Sequence, residues 1–418
     1  MRTYEQTHPF LKFSADLRKA PPLLWILLGE AQSKCEHISG VPLPAPVQQE
    51  LQTVYLAKGL LATTAIEGNT LSEAEVRQLL EGTLKLPPSK EYLKTEIDNI
   101  LEVCNRIFED EDTAATLTPQ RIKGFNAAVL KGLQLEEGVI PGEIRKYSVG
   151  VPGYRGAPVE DCEYLIGRLC EWLNGKDFEP AAGMPVAFAI LKAVIAHLYL
   201  AWIHPFGDGN GRTARLMEFF ILVQAGVPMA AAHLLSNHYN LTRSEYYRQL
   251  AEASKSGGEL VPLLTYAIRG LVDGLREQLR VVREAQLRLA WGDYVRERFS
   301  GLTSKAAIRR QLLVHALSDS DWVPRADITR LDPDVAAAYA TKTGKTLSRD
   351  LNILKRMRLI DVERDQVRVK RNRMLAFRSK TKDPKVIKEI REALAEPVPR
   401  RPRRRRDRTA LQPTLPLA

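Results

Sequence analysis

The sequence predicts a mainly α-helical protein that closes on a small α+β unit. Three observations carry that reading. Leu- and Ala-rich stretches recur through residues 1–120. Two apolar runs, 186–203 and 216–223, flank a short polar loop at 204–215. Near the C-terminal end, residues 359–370 (LIDVERDQVRVK) alternate like a strand, a turn and a second strand.

In chain order, helices fill residues 1–117, with a Pro-rich break at 41–46 (VPLPAP). A second helical block starts near Thr118-Pro119, an N-cap followed by proline at the first helical position. Val149 and Val151 alternate with small or polar residues as a short strand would. The run at 186–203 carries Lys192 and His197, so it reads as a buried core helix and not a membrane span. Pro205 pushes its neighbour out of the α region, so that helix should stop near His204. A long closing helix is expected over 263–299, then an amphipathic helix at 306–317, a short one at 324–329 and a third at 346–357.

Composition narrows the class. No signal-peptide pattern opens the chain, and Cys35, Cys104, Cys162 and Cys170 form no C-x-x-C pair. The expectation is a soluble, cytoplasmic protein with no membrane partner, no zinc site and no disulfide framework. Residues 1–300 hold 32 Lys+Arg against 36 Asp+Glu, a net of −4, whereas 301–408 hold 29 against 14, a net of +15. An excess confined to the C-terminal quarter is the pattern of an appended polyanion-binding part.

Residues 204–215 read HPFGDGNGRTAR. After the proline stop, the Gly-Asn-Gly turn lets backbone N–H groups at the start of the next helix point into a concavity, an anion cradle. Arg212 and Arg215, three apart on that helix, can face one polyanion. Asp208 suits a hard cation such as Mg²⁺ bridging phosphate oxygens. His204 is placed to deprotonate an incoming hydroxyl.

This stretch resembles the Fic family signature, H-x-F-x-D/E-G-N-G/K-R-x-x-R, at every defined position. The resemblance implies a helical core with a small β-hairpin flap, and transfer of AMP from ATP to a Tyr, Thr or Ser hydroxyl of a target protein or of the chain itself. It makes His204 the general base and lets Phe206 pack the loop onto the core. Asp208 becomes the Mg²⁺ ligand, Gly209, Asn210 and Gly211 the phosphate cradle, and Arg212 and Arg215 the holders of the β/γ end. Upstream, residues 63–68 (TTAIEG) fit the family's inhibitory motif, S/T-x-x-x-E-G/N. Thr63 and Glu67 are i and i+4, so they share a helix face, and a carboxylate docked on Arg215 would take the γ-phosphate's place. Residues 141–145 (PGEIR) look like the entry to the flap, in which Val149 and Val151 would align the target by backbone pairing. At its tip, Tyr154 and Arg155 are either contacts to target or nucleotide or an exposed turn. Tyr246 and Tyr247 resemble the segment lining the adenine and ribose pocket, with simple helix packing as the alternative. His197, His233 and His238 read as structural.

The C-terminal pattern of helices followed by strand–turn–strand resembles a winged helix-turn-helix. Arg349, Asn352, Lys355 and Arg356 lie on or near one face of its third helix and are the candidate contacts to duplex DNA. The tail, with RRPRRRRDR at 400–408, reads as a disordered basic arm. The expected domains are therefore 1–117 with the inhibitory helix, 118–299 as Fic core, 300–378 as winged helix and 379–418 as tail. Transfer of another nucleotide or removal of AMP remains open, although Gly211 in place of Lys disfavours phosphate transfer. A DNA-binding regulator that only senses nucleotide is also open, and the intact His204 and Asp208 stand against it. The sequence names neither target protein nor oligomeric state, so a homodimer is left open.

Overall fold

A computed structural model describes residues 2–109, 116–151, 154–318 and 320–374. The tail at 379–418, with its arginine run at 400–408, lies outside the described residues, as does the hairpin tip at 152–153. The chain divides into two compact units, 1–286 and 287–418.

The first unit is helical. Its elements are α1 (Thr3–Thr7), α2 (Pro22–Ser39), α3 (Ala45–Ala65), α4 (Glu73–Leu80), α5 (Glu91–Glu109) and α6 (Pro119–Val129). A hairpin of β1 (Gly150–Val151) and β2 (Tyr154–Arg155) follows, then α7 (Val159–Leu173), α8 (Pro185–Ile203) and α9 (Asn210–Gln224). After α10 (Met229–Ala232), α11 (Leu234–Leu241) and α12 (Arg243–Lys255) comes the long α13 (Val261–Phe299), inside which the boundary between units falls. Local chemistry sets several of these starts. Ser72 and Glu75 form a reciprocal capping box on α4. Thr118 accepts from the Arg121 N–H ahead of Pro119, opening α6 where expected.

Helix α8 is long and apolar enough to cross a membrane by composition, yet most of it is buried within this unit. It packs against α2, α7 and α9, and α9 in turn meets α5 and α6. One hydrophobic core runs from Leu11 to Leu275, drawing on α2–α5 as well as α6–α13. The expected boundary at 117/118 is therefore absent: α2 packs on α8, α5 on α6 and α9, and α3 on α9, α10 and α11, so the N-terminal helices form no separate unit. The boundary expected at 299/300 lies instead within α13.

The second unit holds α14 (Lys305–Leu317), β3 (Val323–Pro324), α15 (Pro333–Tyr339), α16 (Gly344–Arg356), β4 (Ile360–Glu363) and β5 (Gln366–Val369). Its sheet is antiparallel in the order β3-β5-β4, with Val323 opposite Val367 and Ile360 opposite Val369. A second core gathers Trp291, Leu313, Leu351, Leu354, Ile360 and Val367. The helix expected at 324–329 is not there. Pro324 pairs in the sheet and Ile328–Arg330 forms a single 3₁₀ turn, while the helix begins at Pro333 behind an Asp332 cap.

The docking of α3 depends on Gly59. A Cβ there would lie 2.3 Å from Cγ of His233, whose buried ring stacks on Phe219 at 4.5 Å. Nothing at that contact can give way cheaply. The Gly59→Ala variant should lose about 1–3 kcal/mol in urea unfolding by overpacking; an unchanged midpoint would contradict the packing described.

Candidate active site

The loop from α8 to α9 is built by local rules and then pinned from a distance. His204 caps α8, but it does so in the left-handed region (φ 49°, ψ 57°) and not in the extended one that a following proline favours. That conformation is strained for a side chain with a Cβ. The buried Arg145 holds it: Nε donates to the His204 carbonyl at 2.8 Å, Nη1 to Tyr147 at 2.7 Å and Nη2 to Ala157 at 2.5 Å. The Arg145 N–H also donates to the Pro205 carbonyl at 3.0 Å. His204 itself is half-buried, with Nδ1 3.4 Å from the Ala201 carbonyl, so Nδ1 is the donor and Nε2 keeps its lone pair. Burial, reinforced by the Arg145 charge, outweighs the Ala201 hydrogen bond and draws the imidazole below its usual 6.5.

Phe206 is buried, as expected of a packing residue. Asn210 belongs to the expected backbone cradle, and its side chain has a separate task. Its side chain staples the loop, accepting from the Phe206 N–H at 3.0 Å and donating to the Phe206 carbonyl at 2.8 Å. Gly209 caps α9 at φ 75°, where glycine is at ease. Asn126 of α6 donates to the Asp208 carbonyl at 2.9 Å and accepts from the Gly142 N–H at 3.0 Å. The first bond of α9 runs from Thr213 to Gly209, so the N–H groups of Asn210, Gly211 and Arg212 precede any intrahelical partner. The expected cradle is thus backbone, at the positive end of α9.

The two arginines take different partners instead of facing one point together. Arg212 gives Nη1 to Glu96 of α5 at 2.9 Å and lies 3.4 Å from Asp208, whose side chain is half exposed. Glu96 also accepts from Asn69 Nδ2 at 2.8 Å. Arg215, with 1% of its side chain exposed, gives Nη2 to Glu67 at 2.5 Å and to the Thr63 carbonyl at 2.9 Å. Thr63 therefore acts through its backbone, and Glu67 sits just past the end of α3 and not on its face. Nε and Nη1 of Arg215 and Nε of Arg212 are buried without a hydrogen-bond partner. Burial raises the Glu67 pKa, but Arg215 with Arg212 and Arg243 behind it more than offsets that, and the carboxyl titrates below its usual range. A Cβ on Gly211 would lie 2.2 Å from the Glu67 carboxylate oxygen, so with any other residue there the carboxylate would have to shift from its present place.

Asp208 is a hard oxygen donor of the type that could hold a cation such as Mg²⁺. It is one half-exposed carboxylate, and no group of three or more His, Cys, Asp or Glu among the described residues forms a metal cage.

The flap is shorter than expected. Val149 precedes β1, and its carbonyl accepts from the Gly156 N–H at 3.0 Å; Val151 pairs with Tyr154. Tyr154 is committed to the core, donating to the Trp202 carbonyl at 2.6 Å, and Arg155 bonds Ser148. Tyr246 is buried: its hydroxyl is 2.8 Å from His197 Nε2 and its ring stacks on Tyr239, so it cannot line an open nucleobase pocket. Tyr247 is 47% exposed and remains available. His197 and His233 are core residues, as expected. In the second unit Arg349, Asn352, Lys355 and Arg356 are all exposed on α16.

Residues 116–222 match the model of the Fic/DOC family. The chain is 27% identical over 247 residues to the protein adenylyltransferase Fic of Nematostella vectensis, a match covering 58% of this chain and 53% of that one. It is 30% identical over 237 residues to protein adenylyltransferase fic-1 of Caenorhabditis elegans, covering 50% of this chain and 38% of the relative. The chain spans about half or less of the length of these curated relatives. Among solved structures, a Fic family protein from Desulfovibrio desulfuricans shares the fold at a TM-score of 0.51 and 20% identity, covering 86% of this chain and 98% of that one. A Fic domain containing signaling protein from Bacteroides thetaiotaomicron matches at 0.50 and 22% identity, over 62% of this chain and 98% of its own.

Proposed function

From the premise that residues 116–222 are a Fic domain, we propose that this chain is a self-inhibited protein adenylyltransferase. A target Tyr, Thr or Ser oxygen attacks the α-phosphorus of ATP, the α–β bridging P–O bond breaks and pyrophosphate leaves. The hydroxyl proton goes to His204 Nε2, the nitrogen that the Ala201 contact leaves free. The N–H groups of Asn210, Gly211 and Arg212 and the orphaned nitrogens of Arg215 take the phosphate charge. Asp208 would hold Mg²⁺, which when bound neutralises charge on the phosphates. Tyr247 offers its exposed ring to the adenine. The relatives named protein adenylyltransferases support this reading; a cytoplasmic location accompanies it.

The observation that carries self-inhibition is the Glu67 carboxylate 2.5 Å from Arg215, on a guanidinium whose other nitrogens have no partner. The carboxylate holds the place of the γ-phosphate. Glu67→Gly should raise self-modification with labelled ATP by more than tenfold, a desolvated charge-assisted pair being worth a few kcal/mol. Adding Arg215→Ala should cancel the gain, since both changes act on one contact. A double variant that stays fast rules the mechanism out.

The second unit is read as a winged helix-turn-helix that binds duplex DNA. Its order of helix, strand, two helices and a β4–β5 hairpin, with four polar or basic side chains exposed along α16, supports this. Gel-shift titration of the full chain should give an affinity that falls steeply with salt. Arg349→Ala or Asn352→Ala should alter the preferred site more than the salt slope. Absence of binding at low salt would make the unit a protein-docking platform.

The lowered His204 pKa fixes a sign. The base must be neutral, so activity is lost as His204 gains a proton, and its acid limb lies below the usual 6.5. Measured as kcat/KM for ATP in the Glu67→Gly variant, the limb cannot be ascribed to Glu67. A midpoint at or above 6.5, or a limb that survives His204→Ala, would contradict the assignment.

A further inference from the structure

We infer that Arg243 is a positioning residue that latches the inhibitory glutamate onto Arg215. This rests on the self-inhibition proposed above and names a second residue that enforces it.

The argument begins at the end of α3. A helix C-terminus leaves carbonyls without partners and carries the negative end of the dipole. Here the last carbonyls are those immediately before Glu67. Arg243, the first residue of α12 and far away in sequence, gives Nη1 to the Ala65 carbonyl at 3.3 Å and Nη2 to the Ile66 carbonyl. The fork thus closes two acceptors at once, a match that a single ammonium lacks. The Tyr247 hydroxyl, one turn along α12, approaches the same Ile66 carbonyl at 3.5 Å, and the guanidinium stands 5.9 Å over its ring.

Beyond Ile66 the chain turns back sharply, with Gly68 at φ 106°. Glu67 is therefore suspended between two fixed points, a helix end held by Arg243 and a carboxylate held by Arg215. Releasing the first point frees the backbone that aims the second. Arg243 also adds positive charge near the Glu67 carboxylate, which favours its ionised form.

The test is a double-mutant cycle in the full chain, read as the initial rate of self-modification with labelled ATP. Arg243→Ala should raise the rate about five- to tenfold, the worth of one charge-assisted contact at a partly exposed site. In a Glu67→Gly background the same substitution should change the rate less than twofold, because nothing is left to latch. Arg243→Lys should restrain partly, between wild type and Arg243→Ala. A purely structural role would give a lower melting temperature and equal rate changes in both backgrounds, and that overturns the latch. So does an Arg243→Ala rate within twofold of wild type while Glu67→Gly is fast. If Glu67→Gly itself gives no gain, self-inhibition fails, and the latch with it; Arg243→Gln, which keeps one amide donor, repeats the comparison if the alanine variant does not fold.

Discussion

Two guanidinium groups lie buried at the head of one helix, and the first unit is arranged around the need to neutralise them. Side-chain exposure is 6% at Arg212 and 1% at Arg215. An uncompensated charge at that depth would cost several kcal/mol. Each arginine finds a carboxylate on a different part of the chain: Glu96 comes from α5, and Glu67 from just past α3. Both carboxylates come from the N-terminal helices, whose apolar residues share one core with α8 and α9. The helices that supply the counter-charges must be as firmly packed as the helix that carries the cations.

A second fixed point is the left-handed turn at His204. One side chain, Arg145, closes the carbonyls of His204, Tyr147 and Ala157 together. The first belongs to the 204–215 loop and the other two flank the hairpin. The spacing between the base and the segment expected to align a target is thereby set by a single rigid, planar group. The strain at His204 is held by contacts that over-determine it, as strained functional residues require.

The loop at 204–215 was legible because its chemistry is contiguous: proline stops a helix, glycines turn the chain, and a new helix starts. What lay across the sequence was harder. Glu96 is 116 residues from Arg212 and carries no motif. A weaker signal existed. Leu93, Glu96, Ile97 and Ile100 share one helical face, as do Ile122, Phe125, Asn126 and Val129, and a polar residue inside an apolar stripe asks for a partner. Tyr246 and Tyr247 could have been told apart in the same way, since Tyr246 and Ala253 are the buried residues of α12 and lie seven apart. Val149 could not, because two-residue strands give alternation too little length to fix a register. In the second unit the Asp332-Pro333 pair was a better helix start than Pro324, an acidic cap followed by proline at N1.

Gly211 decides which side chains can stand together at the head of α9. Its missing Cβ is the space that the Glu67 carboxylate fills, 2.2 Å from where that atom would stand. A Cβ at 211 would have to push that oxygen aside, at the expense of its contact with Arg215. Positions 67 and 211 are thus tied by volume although far apart in sequence: the acid keeps its present place only while its neighbour stays small. One residue supplies the charge and the other supplies the room for it.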